Sequence, residues 1–453
     1  MVMALEMRRW NNLVALRMDS GKSIAFHTER MELADLDDEA WEAFPPHHRL
    51  PVNVSELSVA AHELAIWSEE NASFAKKETP YLPGAGGYLD QNLDSFEVST
   101  FSLNLSQICN LRCTYCGAGD GSYGSQKFRA DPELVTKQLK GFISRLSPGK
   151  TFTVQFVGGE PLLFPQDLFA ITQSAKELAL ESSVNVQFSV VTNGTRIDKK
   201  MAQFLGQESF QVSLSWDGPS DVQNQFRPGK SGGESSKEVE VGIEHLQSVR
   251  SELRSLHVNS VMGKHNQDVV KSYQFLKSYD FDLYNFGFAA EAEDQLASKN
   301  YVQNMKNLAD LVYEREGLNS LARILPFGRF LRALDDQTPV KNFCGAGKSF
   351  VHSDTKGHLY ACNWFSGISK ERLGYLDEIE ASPRSGWLKP LTQKHNCGSC
   401  WARSLCGGGC AFVFKTKTGA AGELRDETFC ERIVELAAIC VFYYGKELSK
   451  QGQ

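Results

Sequence analysis

The cysteines constrain this chain more than any other feature. Eleven occur in 453 residues, and they fall into two groups. Cys109, Cys113 and Cys116 stand together, none follows before Cys344, and the other eight crowd between Cys344 and Cys440. The chain is long enough to bury an ample apolar core without crosslinks, and its length predicts two or three domains. Hydrophobic residues at 42% and charged residues at 23% are ordinary for a globular protein. No charged-then-apolar leader and no apolar run of about 18 residues is seen, so the expectation is a cytosolic protein with no membrane segment. In that reducing compartment, clustered cysteines read as metal ligands or catalytic groups rather than disulfides. A net charge of −7 argues against a broad nucleic-acid-binding face.

Three sections follow from the pattern: 1–95, 96–335 and 336–453. In the first, Asn12–Asp19 and Ser23–His27 flank Ser20-Gly21-Lys22 and read as strand, turn, strand. Leu36–Phe44 and Ser55–Asn71 read as helices, the first stopped by Pro45-Pro46, and Pro80–Asp90 as a linker. This predicts a small α+β domain. From Ser99 onward, apolar strands alternate with helices. Phe101–Leu105, Phe152–Val157, Val186–Val191, Gln211–Ser215, Leu256–Met262 and Leu283–Phe288 are the strand candidates, with helices such as Pro132–Leu146 and Gln166–Leu180 between them. Repeated strand–helix units predict an α/β fold with a parallel sheet, open or closed into a barrel. Sites in such sheets gather at the carboxyl ends of the strands. Cys109, Gly158, Asn193 and Asp217 each fall at such an end. The section after about Val340 is rich in Cys and Gly and is expected to depend on metal for its fold.

Cys109-Asn-Leu-Arg-Cys113-Thr-Tyr-Cys116 has the spacing CxxxCxxC. Three thiolates on one loop hold three irons of a 4Fe–4S cube and leave the fourth for a group that is not protein, whereas simple electron transfer normally uses four ligands. The plainer alternative is a zinc loop, for which CxxC pairs are more usual. Here the chain resembles the radical S-adenosylmethionine (SAM) superfamily, roughly from Ser99 to Ala290. Gly158-Gly159-Glu160-Pro161 is similar to its GGEP motif, Thr192-Asn193-Gly194-Thr195 to its TNGT turn, and Ser215-Trp216-Asp217-Gly218-Pro219 to its SxDGP segment. Tyr115 fits the aromatic before the third cysteine. The resemblance implies a partial (β/α)6 TIM-like barrel in which the open iron binds SAM. Reduction of SAM there yields methionine and a 5′-deoxyadenosyl radical that abstracts a hydrogen from substrate. The implied SAM contacts are Gly158, Gly159, Glu160 (to the ammonium), Asn193, Ser215 (to the ribose), Asp217 and Arg227 (to the carboxylate), with backbone near Asn285–Phe288 at the adenine.

The later cysteines follow C-x12-G-x4-C at Cys344, Gly357 and Cys362, then Cys397-x2-Cys400-x5-Cys406-x3-Cys410, then Cys430. A zinc ribbon accounts for Cys397 and Cys400 alone. The whole order resembles the SPASM extension of radical SAM peptide maturases. That resemblance implies two auxiliary 4Fe–4S clusters and so three in all. Cys397, Cys400, Cys406 and Cys430 would hold the outer one, and Cys344, Cys362 and Cys410 the inner. Sulfatase-maturing relatives carry a further cysteine shortly after the first, and Gly345–His358 has none. Either His352 or His358 serves, or one iron is open to a substrate thiolate. Cys440, in the apolar run Ile433–Tyr444, reads as a buried small hydrophobe, and His47-His48 as a solvated turn.

Gly117-Ala-Gly-Asp-Gly-Ser-Tyr-Gly124 suits a loop lying close over a ligand, the alternative being an ordinary turn. It is similar to a segment of the thioether-forming peptide maturases and of the quinohemoprotein amine dehydrogenase maturase. The implied activity is cross-linking of a ribosomal precursor peptide or small protein, most directly by a cysteine thioether. The front domain would grip the leader by strand addition, or simply cap the barrel. Carbon–carbon cross-linking and formylglycine formation, as in sulfatase maturation, would use the same apparatus. A binding or electron-transfer iron–sulfur protein is the reading from another class. A flavodoxin or ferredoxin suits the low-potential cluster as electron donor. No catalytic acid or base is readable.

Overall fold

In a computed structural model the described residues are 5–18, 21–44, 59–69, 97–126, 128–264, 266–289, 294–378, 385–418 and 424–451. His47-His48, Pro45-Pro46 and the expected linker Pro80–Asp90 lie outside them. The chain gathers into two compact units. One comprises Met1–Gln91, Met305–Phe343 and Pro390–Gln453, the other Asn92–Asn304 and Cys344–Lys389.

The first unit begins with an antiparallel meander, β1 (Leu5–Trp10), β2 (Leu13–Met18), β3 (Ser23–His27) and β4 (Glu32–Leu36). β2 and β3 are the predicted strand–turn–strand. β1 and β4 were not predicted, because LEMRRW and ELADL carry charges that hide a strand pattern. Asp37 starts α1 (Asp38–Ala43) by accepting the Ala40 N–H at 2.7 Å, as N-caps do. With α2 (Val59–Glu69), it closes a core of Trp10, Leu13, Ala15, Ala25, Trp41, Phe44 and Leu64. The same unit contains the helices Phe327–Asp335 and Glu427–Gln451. Cys440, on the second of these, is fully buried with its sulfur 3.7 Å from the Phe327 carbonyl of the first, so here it packs as the small hydrophobe expected.

The second unit is built on six parallel strands in chain order: β5 (Thr100–Ser106), β6 (Thr151–Gly158), β7 (Asn185–Thr192), β8 (Gln211–Ser215), β9 (Ser255–Met262) and β10 (Leu283–Phe288). Between them run α3 (Pro132–Ile143), α4 (Pro165–Glu181), α5 (Lys199–Gln207), α6 (Ser220–Phe226), α7 (Ser236–Ser248) and α8 (Val269–Leu276). This is the partial (β/α)6 barrel. All six predicted strands are present, each within a residue of its expected bounds. Phe350–Ser353 adds a parallel strand on the far side of β5, and Leu359–Tyr360 and Arg372–Gly374 continue the sheet antiparallel. Alternation divides the strands into two faces. Phe101, Leu103, Phe152, Val154, Phe156, Val190, Val212 and Leu214 are buried, and the ring of Phe101 packs on Phe142 of α3. The intervening positions on the opposite face, Ser102, Asn104, Gln155, Ser189, Ser213, Ser215, Asn259 and Asn285, are polar. The face turned from the helices is therefore equipped to hold a polar ligand.

Candidate active site

Cys109, Cys113 and Cys116 follow β5 on a loop zippered to the chain after α6. Arg112 N–H donates to Pro228 O at 2.8 Å, Thr114 N–H to Phe226 O at 2.9 Å, and Lys230 N–H to Asn110 O at 2.9 Å. Burial first, with the neighbouring sulfurs adding to it, pushes the Cys109 thiol up to about 12 and Cys113 to about 11. Metal must therefore displace protons to bind here, which links the cluster to the fold. The cradle has no room for side chains. A Cβ on Gly121 would come within 2.9 Å of Cys109 Cβ, and one on Gly158 or Gly159 would run into the Ser106 or Ile108 carbonyl. Gly159 N–H instead donates to Ser106 O at 2.7 Å and Glu160 N–H to Ile108 O at 2.9 Å, drawing the end of β6 against the cysteine loop. Three partly exposed thiols in a glycine-lined cradle fit a cluster with one open iron.

Glu160 is fully buried. Its Oε1 accepts from Leu162 N–H at 2.9 Å and Thr192 Oγ1 at 2.7 Å, and its Oε2 from Asn193 N–H at 2.7 Å. Burial pushes its carboxyl up to about 7 against the pull of those donors. Sequence reasoning aimed this carboxylate at the SAM ammonium. Here it is turned inward, because three local donors surround it, and it ties the Thr192–Thr195 turn to the end of β6. Asn193 is likewise engaged. Its Nδ2 donates to Asn110 Oδ1 at 3.0 Å and reaches Cys109 Sγ at 3.9 Å, while Asn110 Nδ2 donates to Thr195 Oγ1 at 2.8 Å. Asn110 escaped the sequence reading because a single variable residue inside CxxxCxxC carries no signal of its own.

Asp217 is fully buried and accepts from Arg227 at 3.1 Å, from Val261 N–H at 2.9 Å and from the Tyr115 hydroxyl. The Arg227 guanidinium lies over the Tyr115 ring, 5.2 Å from its centroid. Burial opposes the Arg227 charge, but Asp217 and its other neighbours hold its proton affinity well above the ordinary value, so the guanidinium stays charged. Gln223 accepts the Asp217 N–H at 3.0 Å, and Ser272 donates to the Asp217 carbonyl at 2.8 Å. Both were missed, since neither belongs to a motif. Arg227, assigned from sequence to the SAM carboxylate, is thus bound to Asp217 and the cysteine loop. Ser215 faces Asn259 across the β8–β9 register, and Asn259 accepts from Asn285 at 3.1 Å. The expected ribose and adenine positions therefore form one polar row at the carboxyl ends of β8, β9 and β10.

In the other unit, Cys397, Cys400, Cys406 and Cys430 come together. Burial first, then each other's charge, raises Cys397 to about 11 and Cys430 to about 12, and Cys406 rises mainly by burial. Among the described residues no three His, Cys, Asp or Glu groups converge on a single-ion point; the thiolates of an iron–sulfur cube stand farther apart than the ligands of one ion. Cys410 belongs to this unit, whereas Cys344 and Cys362 belong to the barrel unit. Of the two histidines considered as ligands, His358 has both ring nitrogens engaged, by Asp354 at 3.0 Å and the Tyr375 hydroxyl at 2.9 Å. His352 is fully buried, with Nδ1 3.2 Å from Ser102 Oγ and Nε2 unpartnered.

Residues 103–276 match the Radical SAM superfamily. The chain is 28% identical over 344 residues to the cysteine-type anaerobic sulfatase-maturating enzyme of Clostridium perfringens, covering 70% of this chain and 89% of that one. The structure of native anSMEcpe with bound AdoMet and Cp18Cys peptide superposes with a TM-score of 0.65 at 23% identity, over 78% of this chain and 99% of the other. That of Streptococcus suis SuiB bound to precursor peptide SuiA gives 0.51 at 14% identity, over 94% and 100%. These last two likenesses speak to fold. No helix among the described residues is long and apolar enough to cross a membrane. With the superfamily match lying across β5 to α8 and the three cysteines, glycine turn and polar row assembled at one rim, residues 103–276 form a radical SAM domain, the kind that works through a 4Fe–4S cluster and SAM.

Proposed function

We propose that this enzyme is a maturase that cross-links a ribosomally made peptide or small protein, joining a cysteine sulfur to a carbon of another residue. The cluster and SAM, when bound, supply a 5′-deoxyadenosyl radical able to take a hydrogen atom from carbon. Cys109, Cys113 and Cys116 are the cluster ligands. Gly158 and Gly159 present bare backbone to SAM, Ser215 with Asn259 and Asn285 takes its nucleoside, and Glu160, Asn193, Asp217 and Arg227 hold these parts in place. Cys397, Cys400, Cys406 and Cys430 hold an outer auxiliary cluster, and Cys344, Cys362 and Cys410 an inner one.

The observation that supports the thioether reading is the lack of a further cysteine shortly after Cys344. The segment Gly345–His358 contains no cysteine, and His358 is committed to Asp354 and Tyr375. An iron left open in this way would take a substrate thiolate. Written on the substrate, a C–H and an S–H are replaced by a C–S bond. One hydrogen would leave as an atom and the other as a proton plus an electron, which clusters held by the later cysteines would carry to an external one-electron acceptor. The likeness to sulfatase-maturating enzymes supports formylglycine formation as the second reading. The test is anaerobic turnover of a candidate peptide with SAM and reductant. Peptide-stimulated release of 5′-deoxyadenosine, with a product unreactive toward aldehyde probes, is the expected result; an aldehyde in the product favours the second reading.

A further inference from the structure

Within the barrel unit, the loop behind Cys116 and the segment behind Cys362 lock into one another. Gly117 directly follows Cys116, and a Cβ there would run into the benzo edge of the Trp364 indole. Trp364 stands two residues beyond Cys362, and its backbone N–H points at the Cys362 sulfur at 3.5 Å. In the opposite direction, a Cβ on Gly367, at φ +84°, would strike the Tyr123 carbonyl. Tyr123 holds a left-handed backbone, φ +56°, and donates its hydroxyl to the Gly158 carbonyl at 3.3 Å. Asn104 of β5 adds a further tie, donating to Ser366 Oγ at 3.0 Å. Burial alone does not explain the indole, since 43% of Trp364 is exposed.

We infer that Trp364 is a positioning residue whose indole, seated on Gly117, fixes the loop behind the SAM-cleaving cluster to the segment behind Cys362. This rests on the reading in which Cys362 holds a second cluster. A ring packed directly on bare backbone leaves no slack, so the separation of the two clusters, on which electron transfer between them depends, is set by this contact.

A double-mutant cycle on the iron-loaded, anaerobically purified full chain tests it. The variants are Gly117→Ala, Trp364→Ala and both together, each checked first for iron and sulfide. The readouts are SAM cleavage with dithionite in the absence of peptide, and microwave power saturation of the reduced clusters' EPR signals. Gly117→Ala is expected to slow cleavage about tenfold when Trp364 is present and less than about twofold in the Trp364→Ala background, because contacting residues couple. Equal effects in both backgrounds overturn the inference. If Gly117→Ala fails to hold iron, Trp364→Ala and Trp364→Phe decide. Altered saturation in the first with near-native saturation in the second supports the role, and unchanged saturation in the first overturns it. Cys362→Ala separates the underlying reading: iron content equal to the parent's sinks the second cluster there, while non-additivity in SAM cleavage still judges the contact.

Discussion

Two buried side chains of the barrel unit have consequences that can be measured one residue at a time. Asp217 accepts from Arg227, Val261 and Tyr115 with no exposed surface. Asp217→Asn leaves the Arg227 charge buried without its partner, a change that costs about 3–5 kcal/mol. The expected outcome is a lower melting temperature together with reduced iron retention, because Tyr115 lies between two of the cluster cysteines. Undiminished iron at a lowered melting temperature would mean that the pair serves only the fold. His352 offers a second test. Burial holds its imidazole down at about 3, well below the ordinary 6.5. The unfolded chain takes up this proton and the folded one does not, so stability is lost as pH falls below 6.5. At pH 5 the loss is about 2 kcal/mol. His352→Gln should flatten the acid limb between pH 7 and 5 in urea unfolding of the loaded protein, and an equally steep limb would contradict that assignment.

At the scale of elements, the cysteine loop is held by strand ends rather than by its own hydrogen bonds. Gly159→Ala would drive a methyl group into the Ile108 carbonyl beside Cys109. Such overpacking costs about 1–3 kcal/mol, and SAM affinity is expected to fall with it, read by equilibrium binding. In the other unit, the N-terminal meander leans on the outer cysteine loop. Phe26 of β3 meets Trp401 with ring centroids 6.3 Å apart, Arg9 donates to Ser399 O at 3.3 Å, and Glu29 pairs with Arg403. Cys400→Ala should therefore raise amide exchange in residues 5–44 as well as around Cys397–Cys406, with β5–β10 unchanged. Exchange confined to the cysteine loop would show the meander to be independent. The barrel strands were legible because each buried strand alternates apolar residues toward the helices with polar ones on the opposite face, and the motifs sit where those strands stop. The Phe350–Ser353 strand was not, since its partner β5 lies some 250 residues earlier and no local pattern encodes that pairing. The same distance hid the seat of Trp364 on Gly117. The inward turn of Glu160 was hidden for another reason: sequence names the carboxylate but not the donors that surround it.

Across the whole molecule, each compact unit carries its own cysteine constellation, three thiols at the barrel rim and four around the Cys397–Cys430 segment. Chelation of iron is accordingly expected to weaken both units, and to do so more in the one containing the C-terminal cysteines, where less regular sheet surrounds the ligands; limited proteolysis of the metal-free chain reads this directly. The central claim is the cross-link. The measurement that tests it most directly is the mass of a candidate precursor peptide, encoded beside this protein, after anaerobic co-expression with it, followed by alkylation of free thiols. A loss of two hydrogens together with one fewer alkylated cysteine is the outcome expected. A loss of two hydrogens with every cysteine still alkylated would contradict the thioether and point to carbon–carbon coupling or serine oxidation, and an unchanged mass despite SAM cleavage would contradict cross-linking of that peptide altogether.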